Sequence, residues 1–234
     1  MAGYVNTVAL IATTNVVSHH TGTVTWLGRW IGMGEWFYTL CYVIILSSFI
    51  AGAAIPGFFL EQKDFQPTRL YGLLMIVVGA LIFVTEILFD FAGELHSLDN
   101  YSFNLNFYTS FYQQLGVYIS SFAMGIQNGL CTQLTNAVVR TTHVTGLSTD
   151  VGMVLGRWSA GHSTAQPWRL CVLLPILFGF IGGAALGTWV YKALAADALF
   201  LAGLYATSFG FSWIFFRIFR TFSNLNIHQV EYHE

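Results

Sequence analysis

Of the chain's 234 residues 55% are hydrophobic, 17% aromatic and only 9% charged, with a net charge of −2 and a mean hydropathy of +0.62. A soluble domain carries about a quarter charged residues, so this chain cannot clothe a water-facing surface and is expected in lipid, as a polytopic membrane protein. The balance leaves no basic footprint for nucleic acid, and three cysteines, with Cys41 and Cys171 inside apolar runs, suit packing better than a disulfide framework.

No Lys/Arg-led signal peptide precedes the first apolar stretch. A spanning helix needs about 20 apolar residues. Charge-free runs lie at Met1–Gly28, Trp36–Leu60, Leu70–Thr85, Asn100–Val139, Leu170–Tyr191 and Ala198–Phe216. Glu86 can sit at the interface while Ile87–Phe89 continue the third run, which gives six spans, three per half. The fourth run is too long for one crossing. Thr109–Cys131 reads as the span, and Thr132–His143, rich in Thr, Asn and β-branched residues, makes a poor helix. Gly146–Trp158 reads as helix, with Thr145 as its N-cap. From Gly146 to Arg157 is roughly 16 Å, about half the hydrocarbon thickness. The geometry predicts a re-entrant hairpin that breaks at Thr145-Gly146 near the midplane. Gly22–Met33 is expected to do the same from the opposite face.

That symmetry is written in the chain. His19-x-Thr21-Gly22-x-x-Thr25-x-x-Gly28-x-x-x-Gly32 returns as His143-x-Thr145-Gly146-x-x-Thr149-x-x-Gly152-x-x-x-Gly156, six matches at a constant offset of 124. Gly3 and Asn6 pair with Gly125 and Asn128. Cys41, Gly52, Ala54 and Gly57 pair with Cys171, Gly182, Ala184 and Gly187, and Gly79 with Gly210. The expected fold is all-α: six transmembrane helices as two inverted three-helix repeats, each with a re-entrant helix broken at a Thr-Gly pair. All 234 residues form a single membrane domain, with repeat one at 1–95, repeat two at 108–220 and a short polar tail at 221–234. The second copy has an apolar lead-in, Phe111–Ala123, where the first starts directly at Ala2-Gly3, so residues upstream of Met1 are expected.

With three spans per half, one side holds Lys63, Arg69, Arg157, Arg169, Arg217 and Arg220. The other holds Arg29 and Lys192 with the acidic Asp90, Glu94 and Asp99. By the positive-inside rule the first side is cytoplasmic, stromal or matrix and takes both termini, in a bacterial inner membrane or an organelle membrane.

Met124-Gly125-Ile126-Gln127-Asn128-Gly129 followed by Arg140-Thr141-Thr142-His143-Val144-Thr145-Gly146 resembles the signature of the YoaK-like integral membrane family. Gly3-Tyr4-Val5-Asn6 and His20-Thr21-Gly22 are similar to that family's early Gly-x-x-(Asp/Asn) and Thr-Gly elements, with Thr23 where an Asn commonly follows. The resemblance covers nearly the whole chain and implies the architecture. The family is catalogued mainly as a domain of unknown function, with small-metabolite transport the expectation attached to it.

Inverted repeats with broken helices are a recurrent transporter plan, with substrate bound at the midplane. Half-helix N-termini aimed at the centre bring partial positive charge, so the expected solute is a small anionic or neutral metabolite. Its expected contacts are His19, His20, Thr21, Gly22 and Thr25 in the first half, and Thr142, His143, Thr145, Gly146, Thr149 and Asp150 in the second. The bland alternatives stand beside these. The histidines serve equally as donors to carbonyls of the break, and Gly28, Gly32, Gly152 and Gly156 read as helix-packing residues. Asn6, Gln127 and Asn128 read as hydrogen-bonding across helices. Asp150 either couples transport to protons, pairs with Arg140, or is a first-turn acid favoured by the helix dipole. No His-x-x-x-His spacing or acidic partner marks a metal, no cofactor is implied, and no nucleophile–base pair points to an enzyme. The other function in view is a non-transporting subunit of a larger membrane complex. Partners are the lipid bilayer, the solute, and a homo-oligomer or complex subunit.

Overall fold

The computed structural model describes residues 1–60, 68–98, 103–134, 144–164 and 166–231. The described residues are helical, with turns and short 3₁₀ segments between helices. The helices are α1 (Ala2–Thr13), α2 (His20–Met33), α3 (Trp36–Phe59), α4 (Arg69–Leu98), α5 (Phe103–Leu134), α6 (Val144–Ser159), α7 (Leu170–Leu194) and α8 (Ala198–Glu231).

Among the described residues four stretches are long and apolar enough to cross a bilayer: Trp36–Phe59, Arg69–Gly93, Pro167–Leu194 and Ala198–Arg220. This all-helical arrangement of the described residues is consistent with an integral membrane protein. Two of the six expected spans do not form single apolar helices. The first run divides into α1 and α2, of 12 and 14 residues, about 18 and 21 Å against roughly 30 Å of hydrocarbon. α5 is 32 residues long but carries Gln113, Gln114, Ser120, Ser121, Gln127 and Asn128. Of these, Ser120, Ser121 and Gln127 are buried, and α5 packs against α3 and α4. Its Val117, Ser121, Ala123, Met124, Ile126 and Leu130 are fully buried between α3 and α4. Ser121 Oγ donates across the interface to the Ile45 carbonyl at 3.0 Å.

Glycines set how closely the helices cross. Gly125 of α5 faces the Phe49 carbonyl and Ala53 of α3, and Gly52 of α3 faces the Phe122 carbonyl and Ile126 of α5. Further along, Gly129 meets Ala53 and Pro56, so later residues of one helix meet later residues of the other and the two run parallel. α1 lies on α7 in the same manner, with Gly3 against the Phe180 carbonyl and Ala184, and Gly187 against Tyr4. α4 and α8 run antiparallel, because Gly72 meets Gly210 while Gly79 meets Gly203. At the start of α1 the Tyr4 hydroxyl donates to the Ala198 carbonyl at 2.7 Å, tying it to the start of α8.

α2 and α6 end alike. Gly34 takes φ +73° and donates to the Ile31 carbonyl while Glu35 N–H reaches Trp30. Gly161 takes φ +69° and donates to Trp158 while His162 N–H reaches Arg157. Only a residue without a Cβ takes this left-handed stop without strain.

Candidate functional site

The break between α1 and α2 is held by one side chain. Thr14 closes α1 in the left-handed region (φ 59°), and the chain turns back without helical structure to His19. Within this return, Asn6 Oδ1 accepts hydrogen bonds from the backbone N–H groups of Val17 and Ser18, each at 3.1 Å, and from Ser18 Oγ at 3.0 Å. Asn6, Val17 and Ser18 are all buried. Asn6 thus bonds back onto its own chain's return segment, not across to a neighbouring helix.

The return delivers two histidines between α3 and α7. His19 sets its ring edge-on to Phe180 at 5.0 Å, and His20 lies against Phe49 at 4.1 Å. Phe49 and Phe180 lie near the middles of their helices, so α2 begins level with the middle of α3. His19 Nδ1 and both ring nitrogens of His20 are buried without a hydrogen-bond partner. An unsatisfied buried polar atom in a native fold needs an explanation, and a ligand or water is the ordinary one.

The other expected site residues are arranged differently. The helix begins at His20, so Thr21 and Gly22 lie in the first turn of α2 and not at its break. Thr145 and Gly146 likewise lie inside α6, so Thr145 is not its N-cap. Thr25 donates to the Thr21 carbonyl at 2.9 Å and Thr149 to the Thr145 carbonyl at 3.0 Å. Both hydroxyls are satisfied by their own helix. Thr21, Thr25, Thr145, Thr149 and Asp150 are exposed, while Gly22 and Gly146 are half-buried. Thr142 and His143, with the Arg140 expected beside Asp150, lie outside the described residues. α2 packs on α3 and α6 on α7. The expected packing role of Gly28, Gly32, Gly152 and Gly156 finds no partner within the chain, because a methyl added at any of them meets nothing within 4 Å. Among the described residues no three His, Cys, Asp or Glu side chains come together as a metal site.

A family model described as "Protein of unknown function (DUF1275)" matches residues 1–211. The chain belongs to the DUF1275 family. Comparison of this DUF1275 chain with curated proteins and with solved structures returned no match.

Two hollows lie beside the start of α1 in the DUF1275 protein. One, of about 330 Å³, is lined by α1, α4, α5, α7 and α8 through residues including Gln127, Tyr71, Met75 and Phe180. The other, of about 570 Å³, is lined almost wholly by apolar side chains such as Leu186, Trp189 and Leu201. Its Tyr4 hydroxyl is already bonded to Ala198. Phe49 and Phe180 are site residues that reading the sequence missed, although their signal is there. Phe49-Ile50-x-Gly52-Ala53-Ala54 returns as Phe180-Ile181-x-Gly183-Ala184-Ala185 at an offset of 131, the same as Gly79 to Gly210. The surroundings agree with this register. Gly52 faces the Ile126 nitrogen at 3.2 Å and Gly183 the Tyr4 nitrogen at 3.3 Å, whereas Gly182 has nothing within 4 Å. The pairing of Gly52 with Gly182 through Cys41 and Cys171 is therefore one residue out.

Gly22 makes a direct test of where the break lies. A methyl there meets only the Val16 side chain, at 3.9 Å. Gly22→Ala is expected to leave unfolding free energy unchanged or raise it by up to about 1 kcal/mol, as for any glycine in a helix. A loss larger than that in chemical denaturation would return the break to Thr21-Gly22.

Proposed function

We propose that the protein is a transporter or channel for a small anionic or neutral solute, built from two inverted three-helix halves, with the solute site at the midplane where their broken helices begin. The observation that carries this reading is a pair of half-buried histidines, with three buried ring nitrogens unpartnered, lodged against the mid-helix rings Phe49 and Phe180. Those two rings are equivalent under the 131-residue offset, so the histidines stand between equivalent points of the two halves.

Inversion is supported by the crossing of α4 and α8. The 131-residue offset carries Gly72 to Gly203 and Gly79 to Gly210, so it turns the Gly72–Gly210 contact into the Gly203–Gly79 contact. A two-fold axis in the bilayer plane between antiparallel helices gives this exchange, whereas a parallel repeat does not. α5 crosses inside the protein, shielded from lipid. α2 and α6 are re-entrant half-helices of opposite sense. The charge distribution favours a cytoplasmic, stromal or matrix face at Arg157, Arg169 and Arg217. At the other face Arg29 lies over Trp26 and Trp30 at 4.8 and 4.9 Å, as an interfacial anchor would. Asp150, exposed halfway along α6, is costly against lipid, which favours a watery vestibule on that face. No catalytic role is proposed.

The test is flux into proteoliposomes, screened over small anions and neutral metabolites. Replacing His19 and His20 together by phenylalanine keeps the ring packing and removes the nitrogens. Flux of the active solute is expected to fall at least about tenfold, the effect of roughly 1.4 kcal/mol at the site, with the unfolding midpoint little changed. Asp150→Asn is expected to abolish any proton-coupled component. Absence of flux across the panel, or flux indifferent to the double substitution, sinks the proposal.

One observation favours a second function, as a subunit of a larger membrane assembly. The glycine faces of α2 and α6, at Gly28, Gly32, Gly152 and Gly156, are open and suit close approach by other helices. Cross-linking from cysteines placed at Gly28 and Gly152 in native membranes distinguishes the two. A stoichiometric partner helix supports assembly, and labelling by lipid-phase reagents alone excludes it.

A further inference from the structure

We propose that the turn joining α2 to α3 is a headgroup site for a zwitterionic phospholipid, with Arg29 taking the phosphodiester and Glu35 the ammonium. This goes beyond the transport reading and does not rest on it. The site is built from residues 26–38, all of them described, and from two helices alone. The turn lies at a membrane face, because α3 is long and apolar enough to cross a bilayer and begins at Trp36. α2 stops at Met33, Gly34 takes the left-handed turn, and the Glu35 N–H donates back to the Trp30 carbonyl at 3.0 Å. Glu35 therefore rises beside Trp30, the neighbour of Arg29. From Arg29 to Gly34 is about 7 Å along the helix, comparable to the thickness of one headgroup layer.

The Arg29 guanidinium lies over the rings of Trp26 and Trp30, 4.8 and 4.9 Å from their centroids. Those rings stack on each other at 6.0 Å, and Trp30 stacks in turn on Tyr38 of α3 at 4.6 Å. The platform is thus fixed to both helices. A guanidinium held by its face on indole rings keeps its N–H groups for an acceptor at its edge. The chain supplies none: among the described residues Arg29 makes no hydrogen bond or ion pair. Glu35 stands at the start of α3 without capping it, and its carboxylate is likewise unpaired. Two opposite charges therefore stand on one turn, both exposed, and leave each other free. The two charges of a zwitterionic headgroup complement them. Phosphate oxygens accept from the guanidinium edge as a fork, and the ammonium donates to the carboxylate. An anionic headgroup would satisfy Arg29 and set a net negative charge beside Glu35. An arginine that merely snorkels to the interface takes any phosphate, so headgroup preference separates the two roles.

The experiment is native mass spectrometry of the full chain released from detergent micelles and titrated with three lipids that share dioleoyl chains. Dioleoyl phosphatidylethanolamine carries both charges, dioleoyl phosphatidylglycerol the phosphate alone, and dioleoylglycerol neither. The ethanolamine lipid is expected to bind about tenfold more tightly than the glycerol phospholipid, the effect of one charged hydrogen bond. Glu35→Gln should remove that preference. Arg29→Gln should weaken both phospholipids about tenfold and leave dioleoylglycerol unchanged. Both side chains are exposed, and each variant tests the site by itself if the other does not fold. Equal affinity of the two phospholipids for the unaltered protein, or a preference for the glycerol one, overturns the proposal. So does binding indifferent to Arg29→Gln. A lipid-free dimer that Arg29→Gln dissociates also overturns it, and assigns this face to a second copy of the chain.

Discussion

Gly125→Val is expected to destabilise the protein by about 3 kcal/mol, the upper end of the range for overpacking a core. A Cβ at Gly125 would overlap the Phe49 carbonyl oxygen and stand 3.0 Å from the Ala53 nitrogen. Both obstacles are backbone of α3, so no side chain can rotate away, and relief requires separating two helices along their length. In a bilayer, where lipid is as apolar as the helix surface, close backbone approach is itself much of what holds helices together. The separation therefore also loses the packing around Ile45, Met124 and Ile126, all at most 1% exposed. Gly3→Val should behave in the same way, because its Cβ meets the Phe180 carbonyl and lies 3.2 Å from the Ala184 nitrogen. Gly28→Val and Gly152→Val, with nothing within 4 Å, should change stability by no more than about 0.5 kcal/mol, the ordinary surface range. Unfolding of the four variants in detergent by denaturant titration makes the comparison. Four similar midpoints would mean that the crossings of α3 with α5 and of α1 with α7 are not the close ones described.

These glycines mark how far the sequence could be read. The lipid environment was legible because 9% charge leaves no alternative, and helices follow because lipid admits no unpaired backbone. The number of apolar spans was less legible, since counting apolar runs treats each helix as if lipid surrounded it. Gln127 and Ser121 are buried against protein, so α5 has no need of a lipid-facing composition. The Gly-x-x-x-Gly spacings at Gly28 and Gly152 tell only that one face of a helix is small. Topology decides whether another helix lies against it, and the crossings fall instead at Gly3, Gly52, Gly125, Gly72 and Gly79. The site was legible in part. His19 and His20 stand where the return segment meets α2, while the hydroxyls of Thr25 in α2 and Thr149 in α6 are each taken up by a carbonyl of their own helix. Phe49 and Phe180 passed unnoticed because the repeat was aligned on Cys41 and Cys171, one residue from the register that the contacts follow.

The segment before the histidines supplies the other large effect. Asn6→Leu is expected to destabilise the fold by about 3 kcal/mol, the combined consequence of two buried N–H groups left without an acceptor. Val17 and Ser18 both point their amides at one oxygen, each at 3.1 Å, and Ser18 Oγ adds a third donor at 3.0 Å. Val17 is 0% and Ser18 3% exposed, so no water replaces the lost acceptor. Asn6→Asp keeps an acceptor oxygen facing the same donors, and hydrogen bonds to a carboxylate stabilise its charged form. It should therefore lose less than half as much as the leucine variant. Hydrogen exchange at Val17 and Ser18 separates this account from a general loosening. Their amides should lose protection in Asn6→Leu before those of α3 and α5 do, because the Asn6 bonds hold the return segment alone. Equal loss across all helices would make Asn6 an ordinary packing residue. If the return segment is released first, His19 and His20 leave Phe180 and Phe49, and flux should fall in proportion to the lost protection even where the helices remain assembled.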